Sequence, residues 1–307
     1  MAKKVLLLYG GFSAERDVSI SAKDNIADAL KSKGYIVVEH DLTDTWRLLD
    51  VLRTEKPDVV YNGLYGNWGE DGEIQGLLDM LDIPYTHSGL NASAIGMNKY
   101  LCKLIAAHNG VRVAAGERKT FAEYLKNGAS LDYPYVVKPV ADGSSVGVFI
   151  VQNDNDAAKV KYRDESAEIL IERYISGREL TCACFDGKSY AVTELKAKNE
   201  FYDYEAKYTA GFTQHILPAE IPNEVADTCR RYAETVHKAL GCRTISRSDF
   251  RYNETDGVVF LEINTNPGMT SLSLVPEQAK HIGVSYIDLC AKLVENAACR
   301  QHKKYGE

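Results

Sequence analysis

Short apolar runs alternate with polar, helix-forming segments at the start of the chain. Residues 4–9 are apolar and β-branched at their centre, which predicts a buried strand. A helix capped by Ser13 or Asp17 is expected to follow. Further strands are predicted at 35–39 and 57–62. Strand–helix–strand order with short turns is typical of a parallel, doubly wound sheet.

The rest of the chain predicts helices followed by antiparallel strands. Asp186-Gly187, between two apolar runs, predicts a tight hairpin. In chain order we expect helices at 92–109 and 120–127, strands at 135–139, 146–151 and 169–174, a hairpin of 180–185 with 190–195, a polar loop at 198–214, a helix at 223–240, a long hairpin over 244–264 and a helix at 285–298. The middle part is therefore an α+β unit with an antiparallel sheet.

Composition narrows the classes of protein that are possible. The chain has 307 residues and 36 basic against 43 acidic side chains, a formal net charge of −7. This length suggests two or three domains, and the acidic balance argues against a general binder of nucleic acid or anionic membranes. Seven scattered cysteines without a CxxC pair indicate free thiols in a reducing cytoplasm. No apolar run approaches the ~20 residues of a membrane-spanning helix.

The predicted hairpin over 244–264 places polar side chains on one face, because residues two apart in a strand share a face. The polar set is Arg247, Asp249, Glu262 and Asn264, and Leu261 and Ile263 are expected on the opposite face. A hairpin centred on the turn at 253–257 pairs Asp249 near Glu262 and Arg247 near Asn264.

Two carboxylates, an amide oxygen and a guanidinium on one surface suit a divalent cation and a reacting anion. Mg²⁺ takes one or two protein carboxylates and completes its shell with water and phosphate oxygens. The arginine could neutralise charge on a transferred phosphoryl group or an oxyanion. Taken alone, the spacing fits a surface ladder of salt bridges equally well. The glycine-containing turn at 265–273 favours a ligand site, because a backbone N–H can approach a ligand closely there.

Three other segments carry weaker signals. Small residues at 142–148, after Lys138, would let backbone N–H groups and a lysine reach phosphate, although the spacing is not that of a P-loop. Gly10-Gly11 lacks the GxGxxG pattern of dinucleotide-binding turns, and Glu15 could simply favour the helix dipole. The aromatic, charged stretch at 200–208 is either a lid over a site or a solvated connection.

Together these segments resemble the D-alanine–D-alanine ligases of the ATP-grasp superfamily over nearly the whole chain. The resemblance rests on GGFSAERDVS at 10–19, GEDGEIQG at 69–76, VKP at 137–139, GSSVG at 143–147, FYDYEAKY at 201–208, EINTNPGMT at 262–270 and SLVP at 273–276. It implies an α/β and α+β protein, with an N-terminal doubly wound parallel-sheet domain followed by a two-part ATP-grasp fold. The implied domains are 1–92, which binds the first D-alanine, a central ATP-grasp domain at 93–178, and a C-terminal one at 179–307 with the metal ligands and the lid loop.

The resemblance also implies the reaction. The carboxylate of one D-alanine attacks the γ-phosphate of ATP, and the amine of a second attacks the resulting acyl phosphate. The product, D-alanyl-D-alanine, serves peptidoglycan precursor synthesis. ATP with two Mg²⁺ ions, for which Mn²⁺ can substitute, a homodimer and a cytoplasmic location are implied, with no nucleic-acid or membrane partner.

The roles of individual residues follow from the same resemblance. Glu15 would receive the ammonium of the first D-alanine, with Ser144 and Tyr208 as hydrogen-bonded partners, and Arg247 and the N–H of Gly268 would form the oxyanion hole. The nucleotide contacts would be Lys99, Lys138, Ser145 and Lys207, with Glu172 on the adenine side and Glu179 at the ribose; the metal ligands would be Asp249, Glu262 and Asn264; and Ser273 with Leu274 would hold the second D-alanine.

Three positions depart from the family pattern. Tyr65 stands where many members have the histidine of Leu-His-Gly, Asn98 replaces an aspartate, and Thr244 replaces a glycine. Thr244 is expected in a β conformation. None of the three removes a metal ligand or the oxyanion arginine, so we expect altered kinetics or packing rather than loss of activity.

Other functions remain open at this point. A ligase with another acceptor, such as D-serine or D-lactate, is the nearest, although Tyr208 in place of phenylalanine favours an amine nucleophile. A binding or regulatory protein that keeps the fold without catalysis is a second class. A dehydrogenase, suggested only by Gly10-Gly11, lacks the rest of its fingerprint.

Overall fold

The strands of the chain form distinct sheets in the computed structural model. The structure describes residues 2–143, 146–197 and 213–300. Within them, one sheet has three strands, one four and one six. The three-stranded and four-stranded sheets lie within the first two ranges expected to be domains, and the six-stranded sheet lies within the third except that one strand begins at Arg178. The domain boundaries themselves stay a prediction.

The N-terminal sheet is parallel, as its strand–helix–strand order predicts. Its region contains β1 (Lys4–Gly10), α1 (Arg16–Ser32), β2 (Ile36–Leu42), α2 (Thr45–Glu55), β3 (Val59–Asn62) and α3 (Glu73–Met80). Strand β1 is central and pairs in parallel with β2 and β3. Val5 and Leu7 enter one apolar core and Leu6 and Leu8 another, so both faces of β1 are covered. The short helices α2 and α3 were missed by the sequence analysis.

The start of α1 differs from the sequence-based expectation. Glu15 is the N-cap residue, and neither Ser13 nor Asp17 caps the helix with its side chain. The hydroxyl of Ser13 accepts a hydrogen bond from the N–H of Glu15 at 3.1 Å and donates to the carbonyl of Tyr65 at 2.6 Å. Ser13 is therefore used to join two loops rather than to begin a helix.

The predicted helix over 92–109 is two helices. They are α4 (Leu90–Met97) and α5 (Lys99–His108), and the chain is extended at Asn98 between them. The side chain of Asn98 accepts the N–H of Leu101 at 3.0 Å and so caps α5. Asparagine is a strong N-cap residue because it satisfies a backbone donor that has no partner within the helix. The substitution at position 98 thus keeps a capping function.

The middle sheet is antiparallel and has the strand order β4-β7-β5-β6, which confirms the predicted α+β unit. Its elements are β4 (Gly116–Thr120), α6 (Phe121–Asn127), β5 (Tyr135–Pro139), β6 (Phe149–Val151), α7 (Asp154–Ala157) and β7 (Glu168–Arg173). Strand β4 was not predicted, because its alternation of charged residues lacks the apolar pattern of a strand.

The largest sheet is built on a long central strand. Its region contains β8 (Arg178–Phe185), β9 (Lys188–Ser189), β10 (Thr193–Ala197), β11 (Thr213–Ile216), α8 (Asn223–Leu240), β12 (Ile245–Asn253), β13 (Gly257–Asn264), α9 (Leu274–His281) and α10 (Tyr286–Glu295). The strand order is β11-β10-β8-β12-β13, with β9 also on β8. The expected partner strand at 190–195 is confirmed only in part: β10 begins at Thr193 and pairs with β8 in antiparallel fashion, whereas the tight hairpin at Asp186-Gly187 joins β8 to the short strand β9. Helix α8 has the predicted bounds.

Packing crosses the predicted domain ranges. Cys102 and Ala106 of α5 lie in one apolar cluster with Phe250 and Phe260 of the largest sheet. Helix α10 packs its Leu293 into the same cluster as Ile26 of α1. These contacts pack the three predicted ranges against one another.

The structure also bears on the cysteines and on membrane-spanning helices. All seven cysteines are free thiols, as expected. Among the described residues, no helix has both the length and the apolar character needed to cross a membrane.

Candidate active site

The strand pair β12–β13 has the register that its polar pattern predicts. Arg247 lies opposite Asn264, and Asp249 lies opposite Glu262. A β-bulge follows, because Phe250 lies opposite Phe260 and leaves Leu261 as an extra residue. The bulge puts Leu261 and Glu262 on the same side of the sheet, since an extra residue interrupts the alternation of faces. The expectation that Leu261 faces away from the polar side chains is therefore wrong.

Arg247 and Asp249 form a forked pair of hydrogen bonds on the face of this hairpin that lines a cavity. Nε and Nη2 of Arg247 each lie 2.9 Å from a different carboxylate oxygen of Asp249. Thr181 of the neighbouring strand β8 donates its hydroxyl to Oδ1 of Asp249 at 2.6 Å. Three hydrogen bonds to one carboxylate fix both charged side chains, and charge-assisted bonds of this kind are the strongest in proteins.

Two adjoining cavities meet at the carboxylates of the hairpin. Five residues line both of them: Lys99, Asp142, Gly143, Asp249 and Glu262. The first cavity is lined further by Glu15, Arg247, Asn264, Gly268, Ser273 and Leu274, and the second by Lys138, Glu172 and Glu179. Every predicted site residue within the described chain thus lies on one continuous cleft. Ser144, Ser145, Lys207 and Tyr208 lie outside the described residues.

The second cavity has a buried triad of charges at its wall. The carboxylate of Glu172 accepts hydrogen bonds from Lys103 and from Lys138, the latter at 2.6 Å. Burial lowers the pKa of Lys103 to about 8. Burial is also the largest single effect on Lys138 and acts to lower its pKa, but the charges of Glu172 and Glu262 and the hydrogen bonds of Lys138 together outweigh burial, and the pKa is raised. Lys103 was missed by the sequence analysis because a single lysine in a helix is normally a solvated residue.

Apolar walls complete the second cavity. They are supplied mainly by the strands of the middle sheet and by the bulge, and the residues are Ala114, Val136, Val148, Ile175 and Leu261. Such a cleft, apolar with a few fixed charges, is typical of a site for a flat heterocyclic ligand. The sequence analysis did not identify these residues, because apolar strand residues that line a ligand have the same pattern as core residues.

Acidic side chains converge at the other end of the first cavity. Glu15 is buried there beside Glu70. Burial and the charge of Glu15 raise the pKa of Glu70 well above its usual value. Glu70 stands in the GEDG segment that supported the family resemblance, but the sequence analysis gave it no role. Its raised pKa and its place beside Glu15 make it a candidate acid–base group.

The turn after β13 brings Gly268 against the start of α9. Ser273, the N-cap residue of α9, accepts the N–H of Thr270 on its hydroxyl at 2.9 Å. A Cβ atom on Gly268 would lie 3.0 Å from that hydroxyl, so any other residue at this position would crowd Ser273. The beginning of α9 faces the first cavity, and a helix N-terminus favours an anionic ligand group.

Lys99 stands between the two cavities. Its ammonium lies 3.6 Å from Oε2 of Glu262 and donates a hydrogen bond to the carbonyl of Asp142. Lys99 is buried at the first turn of α5, and Asn98 caps that helix. The position of this charge is therefore set by the break between α4 and α5.

The hairpin provides oxygen donors but no dense metal cluster. No group of three His, Cys, Asp or Glu side chains in the described ranges is arranged to hold a metal ion. Asp249 and Glu262 lie opposite each other, and the amide oxygen of Asn264 accepts the N–H of Asn266 at 3.0 Å and retains a second lone pair. Two carboxylates and an amide fit Mg²⁺ that completes its shell with phosphate oxygens and water.

Two departures from the family pattern have clear structural positions. Thr244, expected in a β conformation, instead has φ +54°, in the left-handed region that β-branched residues avoid. The chain turns there between the end of α8 and the start of β12, and the carbonyl of Thr244 accepts the N–H of Asp186 at 2.7 Å. Tyr65 lines the first cavity, and its hydroxyl accepts the N–H of Met269 at 3.0 Å.

Comparisons with known proteins agree with this geometry. Residues 105–295 match the family model described as the D-ala D-ala ligase C-terminus. The D-alanine–D-alanine ligases of Acidiphilium cryptum and Agrobacterium fabrum are 46% and 47% identical to the chain. The alignments cover 97% of the chain in both cases, and 99% and 98% of the two relatives.

Solved structures give the same result. The D-alanine–D-alanine ligase of Bacillus anthracis complexed with ATP superposes with a TM-score of 0.81 at 32% identity, over 96% of this chain and 97% of that one. The VanG D-Ala:D-Ser ligase of Enterococcus faecalis superposes with a TM-score of 0.79 at 26% identity, over 96% and 99% of the two chains.

Proposed function

The chain belongs to the D-alanine–D-alanine ligase family, and from this premise we propose that it joins two D-alanines at the expense of ATP. The fold is the ATP-grasp fold that the sequence resemblance predicted. The observation that carries the proposal is the continuous cleft, which places Asp249 and Glu262 between the cavity of Glu15 and the cavity of Glu172. A phosphoryl group bound at this junction can be reached from both sides.

ATP occupies the second cavity in this proposal. The apolar walls take the adenine, Glu172 lies on its polar side and Glu179 at the ribose. Glu179 is itself held by Arg251 at 3.1 Å, which fixes its carboxylate. Lys99 and Lys138 lie where the phosphates cross the junction between the cavities. Ser145 and Lys207 are proposed as further nucleotide contacts on the family resemblance alone.

Asp249, Glu262 and Asn264 would hold Mg²⁺, and two ions are proposed, with Mn²⁺ as a possible substitute. When bound, the metal neutralises the charge of the phosphate oxygens and orients them. The fork from Arg247 keeps Asp249 in place, and the pairing of Asp249 with Glu262 puts both carboxylates on the same side.

The first D-alanine binds with its ammonium on Glu15. Ser144 and Tyr208 are proposed as partners of Glu15, again on the family resemblance. The carboxylate of this D-alanine attacks the γ-phosphate, ADP leaves, and an acyl phosphate forms. The burial of this end of the cleft matters because water would hydrolyse the acyl phosphate.

The second D-alanine binds with its carboxylate at Ser273 and Leu274. Its amine, after loss of a proton, attacks the carbonyl carbon of the acyl phosphate. The oxyanion that forms is stabilised by Arg247 and the N–H of Gly268, donors that stand in place before the reaction. Collapse of this intermediate expels phosphate and leaves the dipeptide, which serves peptidoglycan precursor synthesis.

The proposal extends to the assembly and its location. We propose a homodimer in the cytoplasm without nucleic-acid or membrane partners, supported by the family resemblance, by the net charge of −7 and by the free cysteines. Light scattering should give twice the 34.1 kDa mass of one chain.

The test of the activity is phosphate release from Mg·ATP with D-alanine, D-serine, D-lactate, L-alanine or no acceptor. We expect release with D-alanine, matched by D-alanyl-D-alanine on chromatography. Release only with D-serine or D-lactate as the second substrate would mean that this compound, and not D-alanine, is the acceptor. Release with none of them, while ATP still binds, would make the chain a non-catalytic member of its family.

A further inference from the structure

Two tyrosine hydroxyls are hydrogen-bonded to the turn that follows the β12–β13 hairpin. The N–H of Met269 donates to the hydroxyl of Tyr65 at 3.0 Å, and the hydroxyl of Tyr286 donates to the carbonyl of Met269 at 2.8 Å. Met269 is fully buried. The peptide units on both sides of this residue are therefore fixed, and Gly268 immediately precedes them.

Tyr65 also connects this turn to the loop that carries Glu15. The N–H of Glu15 donates to the hydroxyl of Ser13 at 3.1 Å, and that hydroxyl donates to the carbonyl of Tyr65 at 2.6 Å. One residue thus accepts through its backbone from the first-substrate loop and through its side chain from the turn of Gly268. Ser13 and Met269 are 256 positions apart in the sequence, but only Tyr65 separates them in this chain of hydrogen bonds.

The residue before Tyr65 makes a parallel connection. The carbonyl of Leu64 accepts the side-chain amide of Asn266 at 2.7 Å, and the backbone N–H of Asn266 donates to Asn264 at 3.0 Å. Leu64, Tyr65 and Asn266 are all buried. The segment after β3 is therefore hydrogen-bonded to the turn at two points, and one of them, Asn266, is itself bonded to the proposed metal ligand Asn264.

We propose that Tyr65 is a positioning residue that aligns the Gly268 N–H with the carbonyl of the acyl phosphate held near Glu15. This inference rests on the proposed function and adds a residue to its machinery. A phenol is needed, because an imidazole is shorter and at this position leaves the N–H of Met269 without its acceptor. The histidine expected from the family pattern is thus replaced by a side chain with a different task.

The hydrogen bond has a specific consequence for the second half-reaction. The Met269 N–H lies in the peptide unit that joins Gly268 to Met269, and this unit meets the preceding one, which carries the Gly268 N–H, at the Cα atom of Gly268. Loss of the hydrogen bond to Tyr65 lets the first unit rotate, so the dihedral angles of Gly268 change and its N–H shifts away from the developing oxyanion. A donor that is misplaced by a fraction of an ångström stabilises the transition state less, and the acyl phosphate then lives longer. A longer-lived acyl phosphate is lost to water, which releases phosphate without forming dipeptide.

The experiment compares four proteins: the natural chain, Tyr65→Phe, Tyr286→Phe and Tyr61→Phe. Tyr61 is the matched control, because it is a fully buried tyrosine of the same core cluster whose hydroxyl lies beside Cys290. For each protein, kcat for dipeptide, the KM for ATP, the KM for the second D-alanine and the ratio of phosphate to dipeptide are measured.

We expect Tyr65→Phe and Tyr286→Phe each to lower kcat about tenfold, to raise the ratio of phosphate to dipeptide above one, and to leave the KM for ATP unchanged. Tyr61→Phe should match the natural chain. An unchanged kcat and ratio in Tyr65→Phe, or a similar rise of every KM, would overturn the inference.

The outcomes separate the two proposals. If the natural chain makes no dipeptide, the proposed function fails before any variant is considered. If the natural chain is active and Tyr65→Phe does not fold, Tyr286→Phe decides, since it loosens the same turn from the other side. A ratio of phosphate to dipeptide of one in a folded Tyr286→Phe would then contradict the proposed role of the two tyrosine hydroxyls.

Discussion

Arg247 and Asp249, two residues apart on β12, are joined by two hydrogen bonds of 2.9 Å each. The pair lies opposite Asn264 and Glu262, so the proposed oxyanion donor and the proposed metal ligands form one rigid surface. Because each holds the other, a change in one displaces the second. The effects of substitutions on this surface should not be additive.

Arg247→Ala should lower kcat about a hundredfold or more, because an oxyanion donor is lost and Asp249 is released. Arg247→Lys should be intermediate, since it keeps the charge without the planar fork. Steady-state kinetics with D-alanine measures both. A loss of less than about threefold in Arg247→Ala would argue against an oxyanion role.

Glu262→Gln should raise the Mg²⁺ concentration for half-maximal activity about tenfold. The amide keeps the shape of the side chain but loses the charge that a hard cation requires. Glu254→Gln is the control, because Glu254 is an exposed carboxylate at the turn of the same hairpin. An identical dependence of activity on Mg²⁺ in both variants would show that Glu262 is not a metal ligand.

Lys103→Met should raise the KM for ATP about tenfold, because Glu172 then draws Lys138 away from the phosphates. The change in kcat should be small, since Lys103 lies behind the second cavity rather than on its surface. Lys126→Met removes an exposed lysine of α6 and serves as control. If the two variants bind ATP equally well, the triad has no role in nucleotide binding.

His87 should make the protein less stable in acid. Burial lowers its pKa from 6.5 to about 3. Between these values the unfolded chain takes up a proton that the folded chain does not, so the free energy of unfolding falls as the pH drops from 6.5 toward 3. The contribution is up to about 1.4 kcal/mol per pH unit and is fully present above pH 6.5.

His87→Asn should flatten this dependence in urea unfolding measured at several pH values. Asparagine does not titrate, tolerates the φ of +67° at this position, and can replace the hydrogen bond to Thr86. His108→Asn, at an exposed position, should keep the slope of the natural chain. Equal slopes in the two variants would show that the acid sensitivity arises elsewhere.

Thr244→Gly should be more stable than Thr244→Ala by about 1 kcal/mol. Both variants lose the threonine side chain, but only glycine relieves the backbone at φ +54°. The difference between their free energies of unfolding isolates the conformational cost. Equal stability would mean that the chain relaxes out of the left-handed region at this turn.

Local pattern was enough to predict many elements. The bounds of α8 and the pairing of β12 with β13 follow from periodicity and turn residues, which act over a few positions. In two places a local feature interrupted the regular pattern. Asn98 divides one helix by capping the second, and the bulge at Leu261 breaks the alternation of a strand.

The polar residues of the hairpin were found for a similar reason, whereas the other candidates, such as Glu172 and Ser273, came from the family resemblance. Charged residues at strand spacing, such as Arg247 and Asp249, stand out because burial of unpaired charge is costly. Lys103, Glu70 and the apolar wall of the second cavity were missed. A residue that gains its role from a neighbour far along the chain carries no local signal.

The sequence by itself determined the fold class, the family and the polar face of one hairpin, because these depend on spacing within a segment. Only the tertiary structure decided that Glu15, Tyr65 and Met269 lie in one chain of hydrogen bonds and that Lys103 shares Glu172 with Lys138. Such contacts join distant segments, and their geometry is set by how the packed cores bring the sheets together.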